Sequence, residues 1–198
     1  MKEIKSFWQW FVSQKDVLAY LPSRQTDLYP ELINRMHQIH QGLVCDFEFE
    51  AVTKVKRMVI SANGDKRLFP LVMKVMGEAP KEVLADWQIL AFRQPRPGNF
   101  SLQFADFRLA TDDVMVQVKP IPGKNKVALR LSINHWDNHQ VGSAPAVRVL
   151  LDNLLGEYAA VFYIDRVEAI PWAQMQTETG WIPAVRLKET VQRLIGKN

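Results

Sequence analysis

His135 and His139 flank Trp136-Asp137-Asn138, so His135, Asp137 and His139 put three potential metal ligands within five residues. Imidazole and carboxylate together suit zinc or a general acid–base pair. The segment also has the composition of an ordinary polar turn, and that is the favoured reading. His37 and His40 lie three apart on an apolar-periodic stretch with no third ligand signalled nearby, which reads as one half-buried histidine making one hydrogen bond. Glu48 and Glu50 share a strand face, as paired catalytic carboxylates would, but Lys54, Lys56 and Arg57 on the next strand offer cross-strand ion pairing instead. Ser61 has no histidine placed by sequence to activate it. Cys45, the single cysteine, sits between Val44 and Asp46 and reads as a small core filler. Phosphate-loop, dinucleotide and nucleophile-elbow motifs are missing, as is a His-Glu-x-x-His zinc motif. No cofactor is therefore expected, and the chain leans away from an enzyme.

Two surface features remain. Lys54, Lys56, Arg57, Arg93 and Arg96 fall in residues 51–100, which carry nine basic and four acidic side chains. They define a candidate basic patch for nucleic acid, sparser than such surfaces usually are. The second is the N-terminal run Phe7-Trp8-Gln9-Trp10-Phe11. Spaced at 100° per residue, Phe7, Trp10, Phe11, Val17, Leu18 and Leu21 fall in one core-facing stripe. Trp8 lies off that stripe, with Ile4 and Val12 one turn to either side. Either this strip packs under a loop or the C-terminal helix, or Ile4, Trp8 and Val12 form an exposed interaction patch.

The elements that must carry these residues follow from periodicity. Leu43–Glu50 and Val55–Ser61 alternate as strands, Lys66–Met76 has helical spacing, and Trp87–Phe92 is a short buried strand. Strands near 114–119 and 127–133, a helix from Ala144 to Leu155 and a closing strand over Ala160–Ala169 repeat the order. Phe100–Leu109 adds a strand bent at Ala105-Asp106. Two helices precede this core and one follows it, near Val185–Ile195. The expected fold is α+β, a mainly antiparallel sheet with helices packed on it. Residues 1–198 form one domain with possible halves at 43–92 and 112–169, helices in 1–42 and a last helix in 184–196. Strand-strand-helix-strand thus occurs twice, without a residue-level repeat. The Arg93–Asn99 segment, with two prolines and a glycine, is the clearest break.

The net charge of +4 and pI near 9.2 indicate a mildly basic surface. No apolar run approaches the roughly 20 residues that span a bilayer, and the start lacks a secretory pattern. A cytoplasmic protein is expected, with no membrane partner.

Several landmarks together resemble an uncharacterised family of bacterial proteins of about this length. They are Phe7-Trp8-Gln9-Trp10-Phe11, Val59-Ile60-Ser61-Ala62-Asn63-Gly64 before a helix, Ala79-Pro80, Trp87-Gln88-Ile89-Leu90-Ala91-Phe92-Arg93-Gln94, and Leu151-Asp152-Asn153-Leu154-Leu155-Gly156-Glu157-Tyr158. The resemblance implies no reaction and no catalytic residues. The function expected is a small protein-interaction or accessory module, a class that includes immunity-type proteins, that binds another protein or a second copy of itself. The alternatives are an enzyme or small-ligand binder around His135, Asp137, His139 and Glu157, and then a nucleic-acid binder.

Overall fold

The structure is a computed structural model that describes residues 2–18, 28–50, 54–104, 107–134 and 143–196. It is an α+β fold that divides into two compact units, Met1–Arg93 and Gln94–Asn198. The division falls within the proline-rich break. Among the described residues, four strand pairings are antiparallel and two are parallel.

In the first unit, α1 (Lys2–Leu18) and α2 (Leu28–Ile39) lead into strands β1 (Val44–Glu50) and β2 (Val55–Ser61). A short turn of 3-10 helix, capped by Asp65, feeds α3 (Phe69–Gly77) and α4 (Lys81–Asp86). Strand β3 (Trp87–Ala91) then returns beside β2. β2 pairs antiparallel with β1 and parallel with β3. One sheet face carries Cys45, Phe47, Met58, Ile60, Trp87 and Ile89, and it packs against α1 through Phe11, whose ring meets Trp87 edge-on at 5.4 Å. Phe47 meets the same indole at 5.7 Å. Such pairs add roughly 0.5–1.5 kcal/mol each to the area they bury.

The second unit starts with a small hairpin, β4 (Ser101–Gln103) and β5 (Arg108–Ala110), closed by stacked rings of Phe104 and Phe107 at 4.7 Å. The single bent strand expected over Phe100–Leu109 is therefore two strands. Its expected bend, Ala105-Asp106, lies outside the described residues. β6 (Val114–Pro120) and β7 (Val127–Ile133) form an antiparallel pair, and α5 (Ser143–Leu155) and α6 (Glu157–Tyr163) lead to β8 (Ile164–Ala169), parallel to β7. Helix α7 (Trp172–Met175), the short β9 (Ile182–Pro183) on the far side of β6, and α8 (Leu187–Ile195) complete it. The core joins Val116, Leu129 and Leu131 to Leu150, Leu154, Leu187 and Val191. The closing strand starts at Ile164 rather than Ala160. Gly156, at φ 84°, ends α5 and lets a second helix start at once.

The two units share one plan, strand-strand-helix-helix-strand. The register exposes a correspondence that is hidden in the sequence. In the first, Ile60 pairs with Ala91 and its carbonyl accepts the N–H of Phe92 at 2.8 Å. In the second, Leu131 pairs with Ala169 and accepts the N–H of Ile170 at 2.7 Å. Aligned on these bonds, Ile60-Ser61-Ala62-Asn63 matches Leu131-Ser132-Ile133-Asn134, and both serines are fully buried. Each following helix has a proline in its first turn, Pro70 or Pro145, where the missing N–H costs nothing. Each reaches a Gly-Glu pair, Gly77-Glu78 or Gly156-Glu157, where the first helix ends.

On the face of the second sheet away from this core, Arg130 is the hub. It donates to Gln117 Oε1 at 3.1 Å, pairs with Glu178, lies 3.6 Å from Glu168, and stacks on Trp181 at 5.6 Å.

Candidate functional site

The Ile4–Trp8–Val12 strip is not an exposed patch. Ile4 and Trp8 are each only 2% exposed, and Val12 is half-buried. What covers Trp8 is α3: the indole Nε1–H donates to the Val75 carbonyl at 2.9 Å. Val75 is among the last four residues of α3, whose carbonyls lack partners within their own helix, so Trp8 serves as a C-terminal cap from another element. Phe7 and Phe11 hold its ring at 5.0 and 5.5 Å. The stripe itself is also narrower than its spacing predicts: Val17 is exposed, and Leu21 lies outside the described residues.

His135, Asp137 and His139 lie outside the described residues as well. Among the described residues, no cluster of three metal-ligating side chains occurs. His37 and His40 are both exposed; α2 includes His37 but ends at Ile39, so His40 leaves the apolar arc. His40 Nδ1 accepts the Gly42 N–H at 3.0 Å and so closes the turn into β1. Glu48 stands opposite Arg57, 3.9 Å from it. Ser61 Oγ accepts the Asn63 N–H at 2.9 Å, a turn-forming role. Cys45 is buried, and burial, reinforced by the Asp46 charge, pushes its thiol well above the ordinary range. Native protein should therefore show no thiol titre with a chromogenic disulfide reagent, and a full titre once unfolded in denaturant.

The basic residues of the first unit do not make one patch, and strand alternation is the reason. Lys56 and Arg57 are neighbours on β2, so their side chains leave on opposite faces of the sheet. Arg57 joins the Glu48 side and donates to Gln88 Oε1 at 2.7 Å. Arg93 is on that side too, bound to Asp46 at 2.7 Å and to Asn63 Oδ1 at 3.2 Å, so it braces β1 against the turn after β2. Arg96 belongs to the second unit, with its guanidinium 5.8 Å from the Phe100 ring.

Lys54 and Lys56 remain, and the structure places them on one surface groove of about 530 Å³. Lys54, Val55 and Lys56 form one wall at the start of β2. Leu84, Ala85 and Asp86 of α4 form the other, and Trp87 and Ile89 of β3 line it as well. The Lys56 ammonium lies 5.9 Å from the Trp87 ring centroid, within cation–π range. Leu84 is 53% exposed, and Phe49, directly opposite Lys56 on β1, is 45% exposed. Among the described residues that line the groove the one carboxylate is Asp86, and its pairing with Lys15 holds it below the usual carboxylate range. The groove is thus apolar at its wall and positive at its rim.

Trp87 adds a polar requirement. It is almost wholly buried, and its indole N–H has no acceptor among the described residues. A buried donor left unpaired costs about 1–3 kcal/mol. Sequence reading missed α4 and Leu84, because a six-residue helix is too short for a helical period to register. Pro80 before an apolar pair, Val83-Leu84, was the available signal. No family model, curated protein or solved structure matches this chain.

Proposed function

We propose that this chain is a protein-interaction module that takes an acidic, partly apolar segment of a partner into the groove between α4 and the start of β2. The observation that carries this reading is the composition of the groove. Among the described residues, two lysines line it, its one carboxylate is paired with Lys15, and exposed Leu84 lies beside them. Carboxylates on a partner would meet Lys54 and Lys56, and its apolar side chains would cover Leu84.

A cytoplasmic setting accords with this reading. The one cysteine is a free, buried thiol. Among the described residues no helix is long and apolar enough to cross a membrane.

The test is fluorescence anisotropy with a labelled peptide of alternating glutamate and leucine, and with a labelled single-stranded oligonucleotide of equal charge. The peptide should bind, and the double substitution Lys54→Glu/Lys56→Glu should weaken it at least about tenfold. Equal binding by the double variant, or binding of the oligonucleotide alone, would overturn the proposal.

A further inference from the structure

We infer that a second copy of this chain docks along the free edge of β8, joining two four-stranded sheets into one of eight strands. This surface belongs to the second unit and the groove to the first, so the inference stands or falls independently of the proposed function.

Equivalent strands of the two units are treated differently. In the first, β3 is an edge strand whose Trp87 and Ile89 are buried. In the second, β8 occupies the same place in the plan, yet residues 165–169 are all exposed. The sheet order is β8-β7-β6-β9, so β8 offers one side to β7, and no described strand pairs with the other. An unpaired edge of this length presents backbone donors and acceptors that another strand can use.

The side chains of β8 specify the partner. Arg166 and Glu168 lie on the Arg130 face of the sheet, since Glu168 stands opposite Arg130 in the ladder. Val167 lies on the other face, opposite Leu129 of the core, yet it is 39% exposed. The apolar face therefore runs on to the sheet edge without being covered. Pairing β8 antiparallel with its own copy about a two-fold axis through Val167 puts Val167 against Val167. Each Arg166 then stands opposite the Glu168 of the other copy. The central three pairs are favourable and Asp165 meets only the neutral Ala169, and a strand complementary to itself is what an isologous interface needs. A register shifted by one residue in either strand loses both ion pairs. One added strand pair is small beside a standard interface of about 1,600 Å², so the dimer is weak and concentration-dependent.

Charge complementation tests this arrangement. In Arg166→Glu the opposed pairs become Glu with Glu, and in Glu168→Arg they become Arg with Arg. A mixture of the two variants restores two Arg–Glu pairs in the heterodimer. Sedimentation velocity over roughly 5–500 μM, the range expected of a small interface, should show wild type moving from monomer to dimer. Each variant alone should stay monomeric, and the 1:1 mixture should dimerise like wild type. Thermal melts of each variant check that it is folded, since Glu168 also neighbours Arg130. A wild type that stays monomeric throughout, a folded single variant that dimerises like wild type, or a folded mixture that stays monomeric would overturn the inference.

Discussion

Replacing Trp8 with alanine is expected to destabilise the protein by about 3–5 kcal/mol, the cost of emptying a buried indole site. The Val75 carbonyl also loses its donor, and leaving a buried acceptor unpaired adds about 1–3 kcal/mol. A domain's whole stability is only about 5–15 kcal/mol, so the variant should be unfolded or close to it at 37 °C. Trp8→Phe separates the two contributions. It keeps an aromatic ring between Phe7 and Phe11 but removes the N–H, so its loss should be the smaller. Urea unfolding, with the midpoint shifted and the slope unchanged, is the measurement. An exposed Trp8 would cost no more than about 0.5 kcal/mol on truncation, a result that would contradict the packing described.

Leu129→Ala should cost about 2–5 kcal/mol by the same assay, towards the upper end. Leu129 is fully buried at the middle of β7, with Val118 of β6 and Val167 of β8 beside it in the ladder. Neighbouring strands fix the backbone on both sides, so the cavity cannot close by moving one element. The cost of a core truncation is least where the site can collapse, and here it cannot.

The same contrast between pattern and packing shows what could be read from the sequence. The α1 stripe was legible because helical periodicity assigns directions, and Phe7, Trp10 and Phe11 are buried as expected. Periodicity does not say what arrives to cover the opposite side, so the fate of Trp8 depended on where α3 ends. The repeated order of elements was legible from alternating strands. Its residue-level counterpart was not, because α5 is one turn longer than α3 and only the hydrogen-bond register aligns Ser61 with Ser132. Residues 160–163 carry β-favouring Val, Phe and Tyr but are helical, since Gly156 resets the chain and tertiary context outweighs a weak propensity.

The basic cluster teaches a different lesson. Lys56 and Arg57 are adjacent in a strand, and alternation alone already puts them on opposite faces. Charge counted along the chain obscured that separation. Once it is made, Arg57 and Arg93 brace the sheet, and Lys54 and Lys56 face a groove shared with Leu84 and Trp87. The proposed interaction site is therefore at the start of β2 and not on the opening aromatic helix. The aromatic helix supplies Phe11 behind Trp87 and Lys15 on Asp86.

The indole N–H resonances test this placement most directly. In uniformly ¹⁵N-labelled protein, adding the glutamate–leucine peptide should move the Trp87 indole signal together with the backbone amides of Lys54, Lys56 and Leu84. The Trp8 indole, already bonded to Val75, should stay in place. A Trp87 indole that does not move while the peptide binds, or peptide-induced shifts confined to residues away from the groove, would contradict the account.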